Sequence, residues 1–344
     1  MNKKIYFIRS NSTKFGGAEN YLYRLSKALS KENIDHKIIH SPFPKILPSW
    51  LRAILFNFLV NLIKHDKFYY SLDRITCADL YRAGDGVHKI LLSIEKKSKI
   101  NLLHPVYLYL ERCCFKNSKY IIANSIMVKN QIIDCYKINP DKIYLVYNGI
   151  ELKKINYKKS FERLSKEFLI KKNQSILLFV GSGFKRKGAE EFLLIFSKLK
   201  AKNIRAFIIG KEKNITYYKN LSKKLNIDTQ VTFTGPREDV DDFYSISDVF
   251  LFPTHYDPFS NVVLEAMNFK NAVFTTKMNG ASEILDENFI MDIPYDNAVV
   301  SSIDSLLEDK TKLELVKMKN EQISKLFSIK NNLDKTLEVI SKID

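Results

Sequence analysis

Apolar positions in this chain come in short blocks that alternate with longer stretches of helical spacing. Residues 4–8 read as a strand, and Ser10–Gly17 is a loop holding the dipeptide Gly16-Gly17. Ala18–Ser30 follows as a helix with Leu22, Leu25 and Leu29 on one face. The pattern continues with a strand at His36–His40 and a long apolar block at Ile46–Ile63. Ile75–His88 is a strand that breaks into a glycine-flanked loop. Leu102–Phe115 predicts a helix, Tyr120–Ala123 a strand, Ser125–Tyr136 a helix capped by Asn124 or Ser125, and Ile143–Val146 a strand. Asn148-Gly149 closes this half, and Glu151–Lys159 reads as a linker.

The second half repeats the alternation. Ser175–Val180 is an apolar strand, followed by Gly181–Gly188 (GSGFKRKG) and a helix to about Leu199. Strands are expected at Arg205–Ile209, Val231–Phe233, Val249–Phe252, Ala272–Thr275 and Phe289–Met291. Helices are expected at Tyr217–Leu225 and Asp239–Ser245, and from Asn297 onward. Strand–helix alternation in both halves predicts α/β architecture, with parallel sheets wrapped by helices. At 344 residues, two domains are expected: 1–150 and 151–330, with 331–344 a closing helix.

Charge changes this picture. The chain carries a net +17, and residues 1–150 hold 24 Lys and Arg against 11 Asp and Glu. The remainder is nearly balanced, so an anionic partner is expected at the first domain: a membrane surface, a phosphorylated acceptor or nucleic acid. A lysine-favouring genome is the plainer account. Four cysteines without C-x-x-C or Cys/His spacing indicate neither a zinc site nor a disulfide framework, and a reducing cytoplasm is the default. The apolar block Ile46–Ile63 is interrupted by Pro48, Arg52, Asn57 and Asn61, which rules against a membrane-spanning helix. Trp50 and Phe58 beside Arg52, Lys64 and Lys67 suit a membrane interface; an ordinary buried helix is the alternative.

In open parallel sheets ligands lie beyond the carboxyl ends of the strands. The loops there hold Gly16-Gly17, Asp85 between Gly84 and Gly86, Arg186-Lys187, Gly235-Pro236-Arg237, and the stretch Thr254–Met267. In that stretch Pro258 keeps Asp257 extended, and a helix is expected from about Phe259, with Glu265 two turns inside it. Two cations at a strand–glycine–helix junction suit a diphosphate, and loop carboxylates suit sugar hydroxyls. Asp257 and Glu265 are spaced to contact different parts of one ligand, unlike the facing carboxylates of a glycoside hydrolase. The absence of G-x-G-x-x-G disfavours a nicotinamide or flavin site. A basic α/β protein binding nucleic acid would leave this set unexplained and lacks an aromatic–basic recognition motif.

These motifs resemble those of the retaining glycosyltransferases of family 4. Asp257 and Glu265 match the E-x7-E pattern with Asp in first place, GSGFKRKG resembles the family's Arg-Lys motif, and FGGAE resembles its amino-terminal glycine loop. Residues 3–335 resemble the branch that adds hexose to the heptose of a lipopolysaccharide core. The resemblance implies a GT-B fold, with two Rossmann-like doubly wound domains facing across a cleft and the last helix returning to the first. It implies transfer of a hexose from a nucleotide sugar, UDP-hexose foremost, to a lipopolysaccharide, lipooligosaccharide or related glycan acceptor. The donor is then a substrate, with no cofactor and no metal, and no nucleic-acid partner is expected. It places the enzyme in the cytoplasm, peripheral to the inner face of the membrane. Carried over by position, Glu265 holds the ribose, and Asp257 holds sugar hydroxyls with Phe259, Ser260, Asn261 and Val262. Arg186 and Lys187 hold the diphosphate with Gly16 and Gly17 opposite, Gly235 and Arg237 border the base, and Asp85 lies near the transferred sugar with His88 as its rival. Asp257 is one methylene shorter than the family's residue, which alters its reach toward the donor.

Overall fold

Six parallel strands build the first sheet: β1 (Ile5–Ile8), β2 (His36–Ile39), β3 (Phe68–Ser71), β4 (Leu80–Arg82), β5 (Tyr120–Ala123) and β6 (Ile143–Leu145), in the order β2-β1-β3-β4-β5-β6. The computed structural model describes residues 4–12, 17–95, 101–154 and 156–343. Successive strand residues point to opposite faces, and both faces are apolar. Ile5, Phe7, Phe68, Tyr70 and Leu80 meet Leu22, Leu25 and Leu29 of the helix Gly17–Lys31. On the other side Ile8, Tyr69, Tyr81 and Ile121 meet Phe56, Phe115, Val128 and Ile132. Burial on two faces explains why these strands read as unbroken apolar runs.

β3 is the strand that sequence reasoning passes over. Phe68–Ser71 is short, aromatic and buried throughout, with no glycine or proline beside it to signal its ends, yet it pairs with β1 at the centre of the sheet. The apolar block becomes the helix Ser49–Leu62, which starts directly after Pro48, whose fixed φ suits a helix entrance. Ser125 caps the helix Ile126–Tyr136 by accepting the Val128 N–H at 3.1 Å.

The second sheet comprises β7 (Ser175–Val180), β8 (Ile204–Ile209), β9 (Val231–Gly235), β10 (Val249–Phe252), β11 (Ala272–Thr276) and β12 (Ile290–Met291), in the order β12-β11-β10-β7-β8-β9, again all parallel. The helix Tyr157–Phe168 begins inside the stretch read as a linker, because Asn156 accepts the Lys159 N–H at 3.2 Å and starts it early. By compactness the chain divides into Met1–Glu151 with Ile329–Asp344, and Leu152–Ser328. The helix Ile329–Ser341 thus belongs to the first unit, where Leu333, Val339 and Ile340 enter the core. Burying three such side chains contributes about 5–8 kcal/mol before ordering costs.

Candidate functional site

In the second unit the strand order reverses between β7 and β10, so the loops leaving those strands diverge and open a crevice at their carboxyl ends. The loop after β7 contains one helical turn, Phe184–Lys187, set between Gly183 (φ 74°) and Gly188 (φ 81°). Gly188 is there of necessity: a Cβ would lie 1.9 Å from the Pro253 carbonyl oxygen of the neighbouring loop. The turn therefore packs directly on the loop after β10. The Arg186 carbonyl accepts the His255 N–H (2.9 Å) and the Thr254 hydroxyl (3.0 Å), and Arg186 Nη1 donates to the Tyr256 carbonyl (2.8 Å). Lys187 Nζ donates to Asp257 Oδ2 and lies 5.2 Å from the centre of the Phe252 ring.

Three of the sequence-predicted residues, Arg186, Lys187 and Asp257, thus meet at one point. Burial pushes the Lys187 ammonium below its usual value and Arg186 adds to this, while Asp257 opposes both. Asp257, 6% exposed, is held by its backbone: its N–H donates to Met278 O (3.0 Å) and its carbonyl accepts Gly280 N–H (2.9 Å). Between those two residues stands Asn279, fully buried, whose side chain accepts Ser260 N–H (3.2 Å) and Ala281 N–H (3.1 Å) and donates to the Thr275 hydroxyl (3.0 Å). Asn279 locks the Asp257 loop in place and was missed in the sequence. Its one signal there is the turn-forming Asn-Gly pair after a strand.

The helix after Asp257 is Asn261–Asn268, later than the expected start near Phe259, because Ser260 is still extended. Glu265 therefore sits just over one turn in, not two, half-buried, with the Tyr244 hydroxyl 3.5 Å from its Oε2. Phe259 and Ser260 are buried, Asn261 and Val262 half-buried, and the Ser260 N–H is committed to Asn279. Gly235 ends β9 in the left-handed region (φ 73°). Arg237 is spent on carboxylates, donating to Glu167 (2.7 and 3.0 Å) and Asp239 (2.8 and 2.7 Å) above the Phe168 and Phe243 rings. Its hydrogen bond holds the Asp239 carboxyl down at about 2.

In the first unit the order reverses between β1 and β3. The strand ends there open into a cavity of 470 Å³ whose walls include Arg9, Arg52, Asp73, Arg74, Asp85 and Tyr107. Arg9, 8% exposed, bridges Glu19 (2.9 Å) and Asp73 (2.8 Å) and stands 3.6 Å from Asp85. Burial opposes its charge, but Asp73, Asp85 and Glu19 outweigh it and raise the guanidinium further. Arg74 donates to the fully buried Glu111 (2.8 Å), which also accepts His88 N–H (2.8 Å) and the Tyr136 hydroxyl (2.6 Å). Asp85 is half-exposed in the cavity wall, whereas the His88 ring lies 3.2 Å from the His104 ring nitrogen. Gly17 opens its helix, and Gly16 lies outside the described residues. Arg9, Asp73 and Arg74 had no sequence signal of their own, because β3, which carries two of them to the site, was unread.

The model of Glycosyl transferases group 1 matches residues 160–325, and that of Glycosyltransferase Family 4 matches residues 86–154. The lipopolysaccharide glucosyltransferase WaaG of Escherichia coli is 28% identical over 224 residues, 61% of this chain and 59% of that protein. The N-acetyl-alpha-D-glucosaminyl L-malate synthase of Bacillus anthracis is 24% identical over 248 residues, 70% of this chain and 65% of that protein. Over these and the Methanocaldococcus jannaschii glycosyltransferase MJ1607, the match spans 51–65% of the relatives' lengths. The crystal structure of WaaG superposes with a TM-score of 0.82 at 18% identity, covering 98% of this chain and 99% of that one. Anabaena Alr3699/HepE, solved with UDP-glucose, gives 0.77 at 18% identity, with 98% and 99% covered.

Proposed function

The chain belongs to the family 4 glycosyltransferases and has the GT-B fold, and on that premise we propose that it is a retaining hexosyltransferase using a UDP-sugar. The acceptor is a lipopolysaccharide or lipooligosaccharide core or a related glycan. The observation that carries the reading is the junction of Arg186, Lys187 and Asp257 at the switch point of the second sheet. Glycosyl transfer from a nucleotide sugar builds negative charge on the departing diphosphate. Arg186 and Lys187 supply fixed positive charge for it in a half-dry site, without a metal. Asp257, oriented by Asn279, accepts from donor-sugar hydroxyls; Glu265, one turn into its helix, accepts from the ribose; the loop of Gly235 and Arg237 borders the base. Asp85 is assigned to the reacting sugar, and the first unit to the acceptor. Structures of HepE hold UDP, glucose and UDP-glucose, which supports the choice of nucleotide.

The same reading puts the enzyme in the cytoplasm, with its first unit resting on an anionic membrane surface. Ile54, Phe58 and Leu62 fall on one side of the helix Ser49–Leu62 and remain 42%, 67% and 63% exposed. Tyr109 on the adjacent helix extends the stripe, and the surplus of lysine and arginine lies in this unit. Among the described residues no helix is long and apolar enough to cross a membrane. A thermal-shift series with UDP-glucose, GDP-mannose and ADP-glucose tests the donor, because a bound ligand raises Tm by mass action. UDP-glucose should raise it and Glu265→Ala should abolish turnover while the fold survives. No shift with any nucleotide sugar defeats the reading. Product anomers by NMR and turnover in EDTA test retention and metal independence. Salt-sensitive sedimentation with phosphatidylglycerol vesicles, lost in Phe58→Glu, tests the surface.

A further inference from the structure

The loop that carries Asp257 is fastened to the Arg186-Lys187 turn at three successive residues. The Thr254 hydroxyl and the His255 N–H both donate to the Arg186 carbonyl, and the Tyr256 carbonyl accepts from the Arg186 guanidinium. A guanidinium stays charged in a protein, so none of these contacts titrates near neutral pH. The His255 side chain adds a fourth tie, and this one does titrate there. Its Nε2 lies 2.8 Å from Oε1 of Glu191, in the first turn of the helix Ala189–Phe196, which starts directly after Gly188 at the end of the Arg186-Lys187 turn. Arg186 is thereby caught in a closed circuit: the turn runs into the helix, Glu191 reaches His255, and the His255 backbone returns to Arg186.

The charged groups around the ring decide which form of it this contact favours. Glu191 and Glu190 act on it from the helix and Lys185 from the turn, while Arg186 and Lys187 are directed to Tyr256 and Asp257. Glu190 is itself held, accepting the Tyr217 hydroxyl at 2.8 Å. The hydrogen bond to Glu191 is the strongest influence and, with the charges of Glu191 and Glu190, raises the imidazole above its ordinary value against burial and Lys185. With the folded value raised, the tie is at full strength below the ordinary histidine value of about 6.5 and weakens as pH rises through the folded one. A neutral ring can still donate Nε2–H to Glu191, without the charge assistance that roughly doubles such a bond.

We propose that His255 is a positioning residue for the donor site: as an imidazolium paired with Glu191 it holds the Asp257 loop against the Arg186-Lys187 turn, so that the protonated protein binds a nucleotide sugar more tightly. The inference deepens the transferase reading and rests on its assignment of Arg186, Lys187 and Asp257 to the donor. Coupling between two sites is reciprocal, so donor binding must in turn take up protons at a pH where the ring is partly charged.

The test titrates the full chain with UDP-glucose by calorimetry from about pH 5.5 to about pH 8.5, the range in which a histidine changes charge and a doubly esterified diphosphate does not. Affinity should fall about fivefold across that range, a modest figure because the ring is partly exposed. Near the midpoint, runs in buffers of different ionisation enthalpy should show proton uptake on binding. His255→Gln keeps an N–H for Glu191 but cannot take up a proton, so its affinity should be flat with pH and its proton uptake absent. Glu191→Gln removes the partner that raises the ring and should move the midpoint to lower pH; if either variant fails to melt cooperatively, the other carries the test. Weaker binding in His255→Gln with the wild-type pH profile marks a merely structural residue and overturns the proposal. UDP-glucose binding that is independent of pH in the wild-type chain overturns it too and leaves the transferase reading standing. If UDP-glucose, GDP-mannose and ADP-glucose bind at no pH, the transferase reading falls and takes this inference with it.

Discussion

Replacing Asp257 by Asn isolates one charge. Lys187 and Asp257 expose only 15% and 9% of their side chains, so the pair meets with little water around it. Without the carboxylate, Lys187 keeps its desolvation and loses the influence that raises it, its pairing with Asp257. Breaking a buried pair by removing one partner costs about 3–5 kcal/mol. Lys187 has an escape, because it can fold neutral. From an ordinary lysine value near 10.4, deprotonation at pH 7 costs about 4.6 kcal/mol, which caps the loss. Asp257→Asn should therefore destabilise the protein by about 3–4.5 kcal/mol at pH 7, read from urea midpoints and slopes. The pH dependence has a definite sign. In the variant the folded value of Lys187 lies well below its unfolded one, so the unfolded chain binds the extra proton between the two, and stability rises with pH toward about 10. Adding Lys187→Met should recover most of the loss, since replacing both members of a buried pair is close to neutral. A loss under about 1 kcal/mol at pH 7, or a double variant no more stable than Asp257→Asn, refutes the account of a desolvated pair.

Three further outcomes follow from particular contacts. Gly188→Ala should lower stability by about 2–3 kcal/mol or more in thermal melts, since φ is 81° and the new Cβ meets the Pro253 carbonyl; Gly183→Ala, at φ 74° with open space, should cost about 1–2 kcal/mol. Asp239 is depressed to about 2, so its contribution of about 2 kcal/mol is present above the unfolded value of 3.8 and is lost as pH falls toward 2; acid titration of Arg237→Gln should show that component reduced, with Arg163 supplying what remains. Glu111→Gln leaves Arg74 buried without its counter-charge and should cost about 3–5 kcal/mol by urea denaturation, whereas Glu111→Gln with Arg74→Met should be milder.

The second unit was largely legible in the sequence. Its glycines, its adjacent cations and the Pro258 break are local signals, and strand–helix alternation marks a parallel sheet, although only the structure sets β7 beside β10. Asn279 was legible only as half of an Asn-Gly turn, because its work is to hold a loop some twenty residues away and no local pattern shows that. The first unit was read less completely. Phe68–Ser71 has neither alternation nor a glycine or proline at its ends, so the central strand went unread, and with it Asp73 and Arg74 at its exit. Arg9 falls between the strand at 4–8 and the loop from Ser10 and drew no reading, and only the pairing of β1 with β3 shows it to be the hub of a charge network. Arg52 was read as an interruption of an apolar block, when the helix turns it inward.

The path of the chain through the first unit bears on how the protein is made. Ile150 accepts a hydrogen bond from Ile329 N–H at 3.0 Å, so the chain leaves and re-enters that unit at one spot. Residues 152–328 are thus an insertion within a host that is finished only by the helix Ile329–Ser341. On a ribosome the guest is continuous and can fold as soon as it emerges, whereas the host must wait with the patch for Leu333, Val339 and Ile340 uncovered. Premature termination near residue 328 should therefore release a folded guest tethered to an incomplete, aggregation-prone host. Splicing Glu151 to Ile329 through a few glycines should instead yield the host alone, folded and with its cavity intact.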